Sequence, residues 1–370
     1  MAEPFKNLID ETRVGDIAAA LTAVWSSFPA ASFIEQATTG LDRLELKDRV
    51  RHVASALSDA LPPPFHAAVD ILCKALPTPL PDTDAVSSHF GWWPFLQVVE
   101  DRCLEDPDAA LNALERMTQT FSGEFAIRPL IAARPEATLA RMLDWTTHPN
   151  VHVRRLASEG SRPRLPWGQR LTVIVDDPSR TRPILTALRD DPELYVRRSV
   201  ANHVADIAKD HLDLAVSLMG EWMQDASAER EWVVRHAMRA PLKAGDPGAL
   251  ALLGFHPVEV TDVRVTLSSP VIRLGESVTV QLEAVMQHDG PVMMDLAMTR
   301  PTRSGTSRKT FKGLSRSVSS GERVDWQKSL PIREVTTRTW YPGTHRIDVT
   351  LNGRVVGGGT FELELEPSTT

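Results

Sequence analysis

Cysteine is scarce in this 370-residue chain: only Cys73 and Cys103 occur, far apart and without a Cys-x-x-Cys pair. Neither a disulfide framework nor a zinc knuckle is expected, and both read as buried thiols. No apolar run approaches the roughly 18 residues needed to span a bilayer, so no membrane partner is expected. The N-terminus, Met1-Ala-Glu-Pro-Phe-Lys-Asn, has neither a basic region nor an apolar stretch behind it. A cytoplasmic protein without a signal peptide follows. Common catalytic signatures are missing too: there is no P-loop, Gly-x-Gly-x-x-Gly, Gly-x-Ser-x-Gly or His-Glu-x-x-His. His148 and His152 are spaced i,i+4, but His148 precedes Pro149 in a turn, so neither a metal nor another cofactor is expected.

What is present suits a globular protein with more than one core. Hydrophobic residues make up 42% and charged residues 24% of the chain, enough for a sizeable interior, and the length exceeds one ordinary domain. The net charge of −7 argues at first against a nucleic-acid partner, because phosphates are neutralised by Lys and Arg. The charge is uneven, however. Residues 1–149 carry 12 Lys+Arg against 21 Asp+Glu, whereas 150–240 and 257–370 each carry 14 against 13. The last two-thirds therefore have room for a basic surface.

Up to about Phe255 the pattern is helical, with short Pro-, Gly- and Asp-containing turns. Self-similarity stands out within it. His148-Pro-Asn-Val-His-Val-Arg-Arg resembles Asp191-Pro-Glu-Leu-Tyr-Val-Arg-Arg and then Glu229-Arg-Glu-Trp-Val-Val-Arg-His. Aligned on Arg154, Arg197 and Arg235, the units lie 43 and 38 residues apart, which fits the ~40-residue period of HEAT-type helix pairs. After Phe255 the period changes to two. Val278, Val280, Leu282 and Ala284 alternate with polar residues, as do Ile347, Val349 and Leu351, and Asn352-Gly353 marks a hairpin turn. About seven such segments point to an immunoglobulin-like sandwich. The expected fold is an all-α HEAT-like repeat solenoid over 1–255, followed by an all-β immunoglobulin-like sandwich over 256–370. Tyr341, just before a strand, is a candidate sandwich corner.

Three helical segments carry candidate chemistry. Glu124 sits in Thr120-Phe-Ser-Gly-Glu-Phe-Ala-Ile-Arg-Pro at a helix start. Glu159, Arg162, Arg164 and Trp167 lie in Ala157-Ser-Glu-Gly-Ser-Arg-Pro-Arg-Leu-Pro-Trp-Gly, where prolines interrupt a repeat helix. Arg198, Asn202 and Asp206 fall at i, i+4 and i+8, on one stripe of the next. Each has a plain structural alternative: Glu124 favouring a helix N-terminus, Glu159 and Asp206 pairing with repeat arginines, Trp167 filling a gap.

These strings, with Val-Ala-Asn-His-Val-Ala-Asp-Ile-Ala-Lys-Asp-His, resemble the AlkC branch of the HEAT-like repeat alkylpurine DNA glycosylases along essentially the whole chain. The resemblance implies hydrolysis of the N-glycosidic bond of 3-methyladenine and 3-methylcytosine in double-stranded DNA, as base excision repair. It also implies that Glu124, Glu159, Trp167 and Asp206 line the lesion cleft and that the base stays in the stack. Expected DNA contacts are Arg155, Arg162, Arg164, Arg198 and Asn202 in the solenoid. A second set comes from Leu296–Gly321, which holds Arg300, Arg303, Arg308, Lys309, Lys312 and Arg316 without an acidic residue. That stretch reads as an inter-strand loop gripping the DNA backbone. A monomer working at the nucleoid is expected. The rival readings are a non-catalytic DNA-damage binder and a protein–protein scaffold, separable by base release and by salt dependence.

Overall fold

The computed structural model describes residues 4–83, 85–335 and 339–365. Among them several helices begin where the sequence supplies a cap. Asp10 accepts from the Arg13 amide, Asp106 from Ala109, Asn150 from His152 and Asp246 from Ala249, each satisfying an amide left over at a helix start. Pro107 and Pro247 follow two of these caps, where a missing N–H costs nothing.

The sixteen α-helices among the described residues are α1 (Glu11–Val24), α2 (Ala30–Thr38), α3 (Leu46–Ala60), α4 (Phe65–Lys74), α5 (Trp93–Arg102), α6 (Pro107–Met117), α7 (Arg128–Ala133), α8 (Pro135–Asp144), α9 (Val151–Glu159), α10 (Thr172–Asp176), α11 (Arg182–Leu188), α12 (Leu194–Ile207), α13 (Leu212–Met223), α14 (Ala228–Ala237), α15 (Arg239–Ala244) and α16 (Pro247–Ala251). Two compact units form. One holds the described chain up to Leu212 together with Ser227–Ala237; the other holds Asp213–Ala226 and everything described from Met238 onward.

In the first unit the repeats are physical objects. α9 packs against α12, and α12 against α14, through buried stripes at helical spacing: Val153, Leu156 and Ala157, then Val196, Val200 and Val204, then Val233, Val234 and Ala237. The recurrent first arginine is a brace. Arg154 donates to the carbonyls of His148 and Pro149 in its own turn and, at 2.7 Å, to Asp191 of the next repeat. Arg197 repeats the move on the carbonyls of Asp191 and Pro192. A buried polar chain adds to this glue. The His203 Nδ1–H donates to the Ser158 carbonyl at 3.0 Å, which leaves Nε2 as an acceptor 3.2 Å from the Thr181 hydroxyl, while the Ser199 and Ser158 hydroxyls lie 3.0 Å apart. Both cysteines are free and buried, as expected, and burial pushes each thiol up to about 11.

In the second unit the described strands are β1 (Val260–Leu267), β2 (Val271–Arg273), β3 (Ser277–Met286), β4 (Gly290–Thr302), β5 (Gly305–Val318), β6 (Arg323–Pro331), β7 (Gly343–Leu351) and β8 (Arg354–Glu364). They form two sheets, β1-β3-β6 and β2-β8-β7-β4-β5, antiparallel except that β2 runs parallel to β8. The strand alternation read in the sequence holds: Val278, Val280, Leu282, Ala284 and Met286 are buried in turn along β3. Asn352 and Gly353 make the two-residue turn, both with positive φ. At the corner before β7 it is Trp340 whose ring N–H ties back, to the Arg333 carbonyl. One expectation is corrected. Leu296–Gly321 is a long hairpin, β4 and β5 with Arg303 and Ser304 at its tip, because Leu296 and Met298 face the core opposite Phe311 and Lys309. Helices α15 and α16 join this unit through close approach: a Cβ on Gly353 would lie 2.5 Å from the Gly245 carbonyl oxygen.

Two outcomes follow. Gly353→Ala is expected to destabilise the second unit by about 2 kcal/mol, through positive φ and the clash with Gly245, read as a lower urea midpoint. His203 is held neutral because burial pulls it from 6.5 down to about 4. The unfolded chain takes up the proton first, so stability is complete above pH 6.5 and falls as pH drops towards 4, by about 3 kcal/mol in all. Urea melts between pH 7 and 4.5 are expected to show that fall, and His203→Asn to flatten it.

Candidate active site

The site is assembled by the repeats and by the turn before α7. Glu124 stands in that turn and accepts from Ser122 Oγ at 2.8 Å and from Arg155 Nη1 at 2.9 Å. Arg155 reaches along α9 to Glu159, one turn on, with 3.5 Å between Nη2 and Oε1. The helix stops at Glu159, and Arg162 folds back inward, donating Nη1 to Glu159 Oε1 at 2.7 Å and Nε to Asp206 Oδ2 at 2.8 Å. Lys209 closes the row on Asp206 Oδ1 at 2.8 Å. Three carboxylates and three cations thus alternate across successive helices. The Asp206 side chain is 2% exposed, that of Glu159 7% and that of Glu124 17%, so the row deepens away from Glu124.

Burial of this kind costs several kcal/mol per ion and is tolerated only when partners are well placed. Here they are. Burial alone would push Glu159 up, yet the charges of Arg155 and Arg162 and a hydrogen bond from Ser199 outweigh it and hold the carboxyl below its ordinary value. Burial likewise opposes the charge on Arg155 and Arg162, and the neighbouring carboxylates reverse it, raising both. The Arg155 guanidinium also lies 4.8 Å from the centre of the Tyr195 ring, a face attractive to cations. At neutral pH Glu159 is an ionised acceptor rather than a proton donor. It can stabilise positive charge or orient water.

The four residues singled out in the sequence do not share one environment. Glu124, Glu159 and Asp206 lie on the row. Trp167 is outside it: its indole is 68% exposed, its φ is +64°, and its carbonyl accepts from Lys47 Nζ. Among the solenoid residues expected on DNA, Arg155 and Arg162 are spent on carboxylates, and Arg164 makes a two-pronged pair with Asp210 at 2.6 and 2.5 Å. Arg198 is exposed. Asn202 Oδ1 lies 3.3 Å from His236 Nε2. Sequence reasoning missed Tyr195, Lys209, Lys47 and Arg128. Tyr195 left a signal, since it occupies the repeat position of His152, with which its ring makes an edge contact, and Lys209 another, three residues after Asp206.

On the hairpin, Arg308 and Lys312 share the outer face. Lys309 turns to the other, 5.3 Å from the Phe311 ring. Arg300 lies 5.6 Å from the Trp340 ring, and Arg316 pairs with Glu322 at 2.6 Å. Among the described residues no three His, Cys, Asp or Glu side chains converge as metal ligands, and no helix is long and apolar enough to cross a membrane.

Residues 261–365 match the family model described as the C-terminal Ig-like domain of uncharacterised protein YhaZ. The uncharacterised protein YhaZ of Bacillus subtilis (strain 168) is 34% identical over 325 residues, covering 86% of this chain and 88% of that protein. A solved structure, Pseudomonas fluorescens alkylpurine DNA glycosylase AlkC bound to DNA containing an abasic site analog, superposes with a TM-score of 0.78 at 34% identity. The match covers 98% of this chain and all of that one.

Proposed function

The chain belongs to the AlkC branch of the HEAT-like repeat alkylpurine DNA glycosylases, and from that premise we propose that it excises cationic N3-alkylated bases, 3-methyladenine and 3-methylcytosine, from double-stranded DNA. The observation that carries the reading is the buried row Glu124–Arg155–Glu159–Arg162–Asp206. A base alkylated at N3 already bears positive charge and leaves readily, so the enzyme need not protonate it strongly. What remains is to stabilise the oxocarbenium-like sugar and position water. Fixed carboxylates answer the first need, and one of them acts as general base for the second. The exposed Trp167 indole lies against the sugar or the cationic base and contributes about 1–2 kcal/mol of cation–π attraction once water is excluded. The reaction is a monofunctional hydrolysis that leaves an abasic site and needs no cofactor.

We assign residues 1–255 the glycosylase chemistry and 256–370 a DNA-binding role. In the solenoid, Arg198, Asn202 and Arg164 face the backbone, while Arg155 and Arg162 serve it through the carboxylates they hold. Arg300, Arg303, Arg308, Lys309, Lys312 and Arg316 on the hairpin add phosphate contacts. The lesion stays stacked in a bent duplex, and the protein works as a monomer in the cytoplasm, at the nucleoid. Enzymes of this chemistry commonly flip the base; holding the duplex bent replaces that step here.

Glu159→Gln and Asp206→Asn are expected to slow excision on the order of a hundredfold, the loss typical of removing one transition-state electrostatic contact. Trp167→Ala is expected to slow it about tenfold, the rate equivalent of the cation–π contribution, with an unchanged melting temperature. Release of free base and of alkali-labile sites from methylated DNA measures all three, with circular dichroism confirming folding. Binding without base release by the wild-type chain would make it a damage binder instead, and inactivation by chelators would reveal a metal. Replacing the six basic hairpin residues by Ala is expected to weaken DNA binding and lower the slope of log affinity against log salt.

A further inference from the structure

Between Gly160 and Gln169 the chain leaves the repeat pattern and forms a loop stiffened by Pro163 and Pro166, with Trp167 at its tip. It is crossed by two backbone bonds, Leu171 N to the Pro163 carbonyl and Gly168 N to the Leu165 carbonyl, both 3.1 Å. Trp167 holds φ at +64°, a left-handed conformation that a bulky residue keeps only where its surroundings impose it. Packing of the side chain does not supply that constraint, since the residue is 68% exposed. Whatever fixes the ring must act on the backbone.

Two cations do so. Arg128, 1% exposed on α7, donates Nη1 to the Gly160 carbonyl at 2.9 Å and Nε to the Gln169 carbonyl at 2.6 Å. One guanidinium therefore clips both ends of the loop. The fit is close: a Cβ on Gly168 would lie 3.2 Å from Arg128 Nε. Lys47, on α3, donates Nζ to the carbonyl of Trp167 itself and lies 5.5 Å from the centre of the Phe125 ring, which stacks on Trp93. We propose that Arg128 and Lys47 are positioning residues, a two-point clasp that holds the Gly160–Gln169 loop so that Trp167 meets the lesion in one orientation. The clasp rests on the proposed role of Trp167 in excision. Arg128 is almost wholly buried and acts through the two carbonyls it holds; its planar, five-donor group is what allows one side chain to span both, which an ammonium cannot do in the same geometry.

The test uses the full chain with Arg128→Lys, Lys47→Ala, Trp167→Ala and both double variants. Hydrogen exchange read by mass spectrometry over residues 160–170 is expected to speed up in Arg128→Lys and Lys47→Ala while the remaining helices keep their protection. Single-turnover excision of 3-methyladenine is expected to slow on the order of tenfold in each, as for a misplaced contact group. In the Trp167→Ala background neither change is expected to slow it further, since the clasp acts only through that ring. Unchanged exchange over the loop overturns the proposal, and so does an equal slowing with and without Trp167. If Arg128→Lys does not fold, Lys47→Ala decides by the same two readings. A wild-type chain inactive on the lesion duplex overturns the glycosylase reading alone, and loop exchange then decides whether the clasp exists.

Discussion

The constraint on which the solenoid's site depends is that a buried charge must meet its opposite within hydrogen-bonding distance. Removing one member of a buried pair costs about 3–5 kcal/mol, because the survivor is left uncompensated. In this chain the requirement is met across repeats. Arg162 stands in the loop just after one repeat helix, and its second carboxylate, Asp206, lies 44 residues on, close to one repeat period. Arg154 makes the same kind of bond to Asp191 over 37 residues. The stacking that aligns the helices and the pairing that compensates the buried charges are therefore one condition. A shift of α9 against α12 by a single turn, ~5 Å, would strand Asp206 below the surface without Arg162.

The same logic explains what could be read in the sequence. The repeat period, the apolar stripes and the change from helical to alternating pattern near Phe255 are local regularities, and the structure keeps all three. Glu124, Glu159 and Asp206 were visible singly because acids beside apolar residues are unusual, and Arg155–Glu159 was implied by i,i+4 spacing. Lys47 and Arg128 were not visible. Lys47 reaches the Trp167 carbonyl across 120 residues and Arg128 the Gln169 carbonyl across 41, and no pattern encodes a side chain bonding to distant backbone. The hairpin was misread for a different reason. Its outer residues are Arg, Lys, Ser and Thr, so the usual apolar–polar alternation is faint, and along β5 the core is met by Phe311, Leu314 and, at the strand's end, Val318. The boundary between compact units was hidden as well. Helices α15 and α16 read as more solenoid, yet the Gly245–Gly353 approach groups them with the sandwich.

The net charge of −7 is reconciled with the proposed DNA partner by distance. At physiological salt, exposed charges more than about 8 Å apart are largely screened from each other, so a phosphate responds to its nearest few side chains and not to a sum over the chain. The acidic excess lies in residues 1–149. The stretch from Leu296 to Gly321 contains six basic residues and no acid, and Arg308 and Lys312 share one face of β5, Lys312 opposite Asp295 of β4. What limits this patch is internal pairing. Arg316 is held by Glu322 at 2.6 Å, with its side chain about one-third exposed, and such partly exposed pairs are worth no more than about 1 kcal/mol. A phosphate arriving there exchanges one carboxylate partner for another anion at little cost, whereas no such exchange is open to Arg162, buried between two carboxylates. Burial therefore separates these two arginines: Arg316, about one-third exposed, can exchange its carboxylate for a ligand, and Arg162 is bound to the fold.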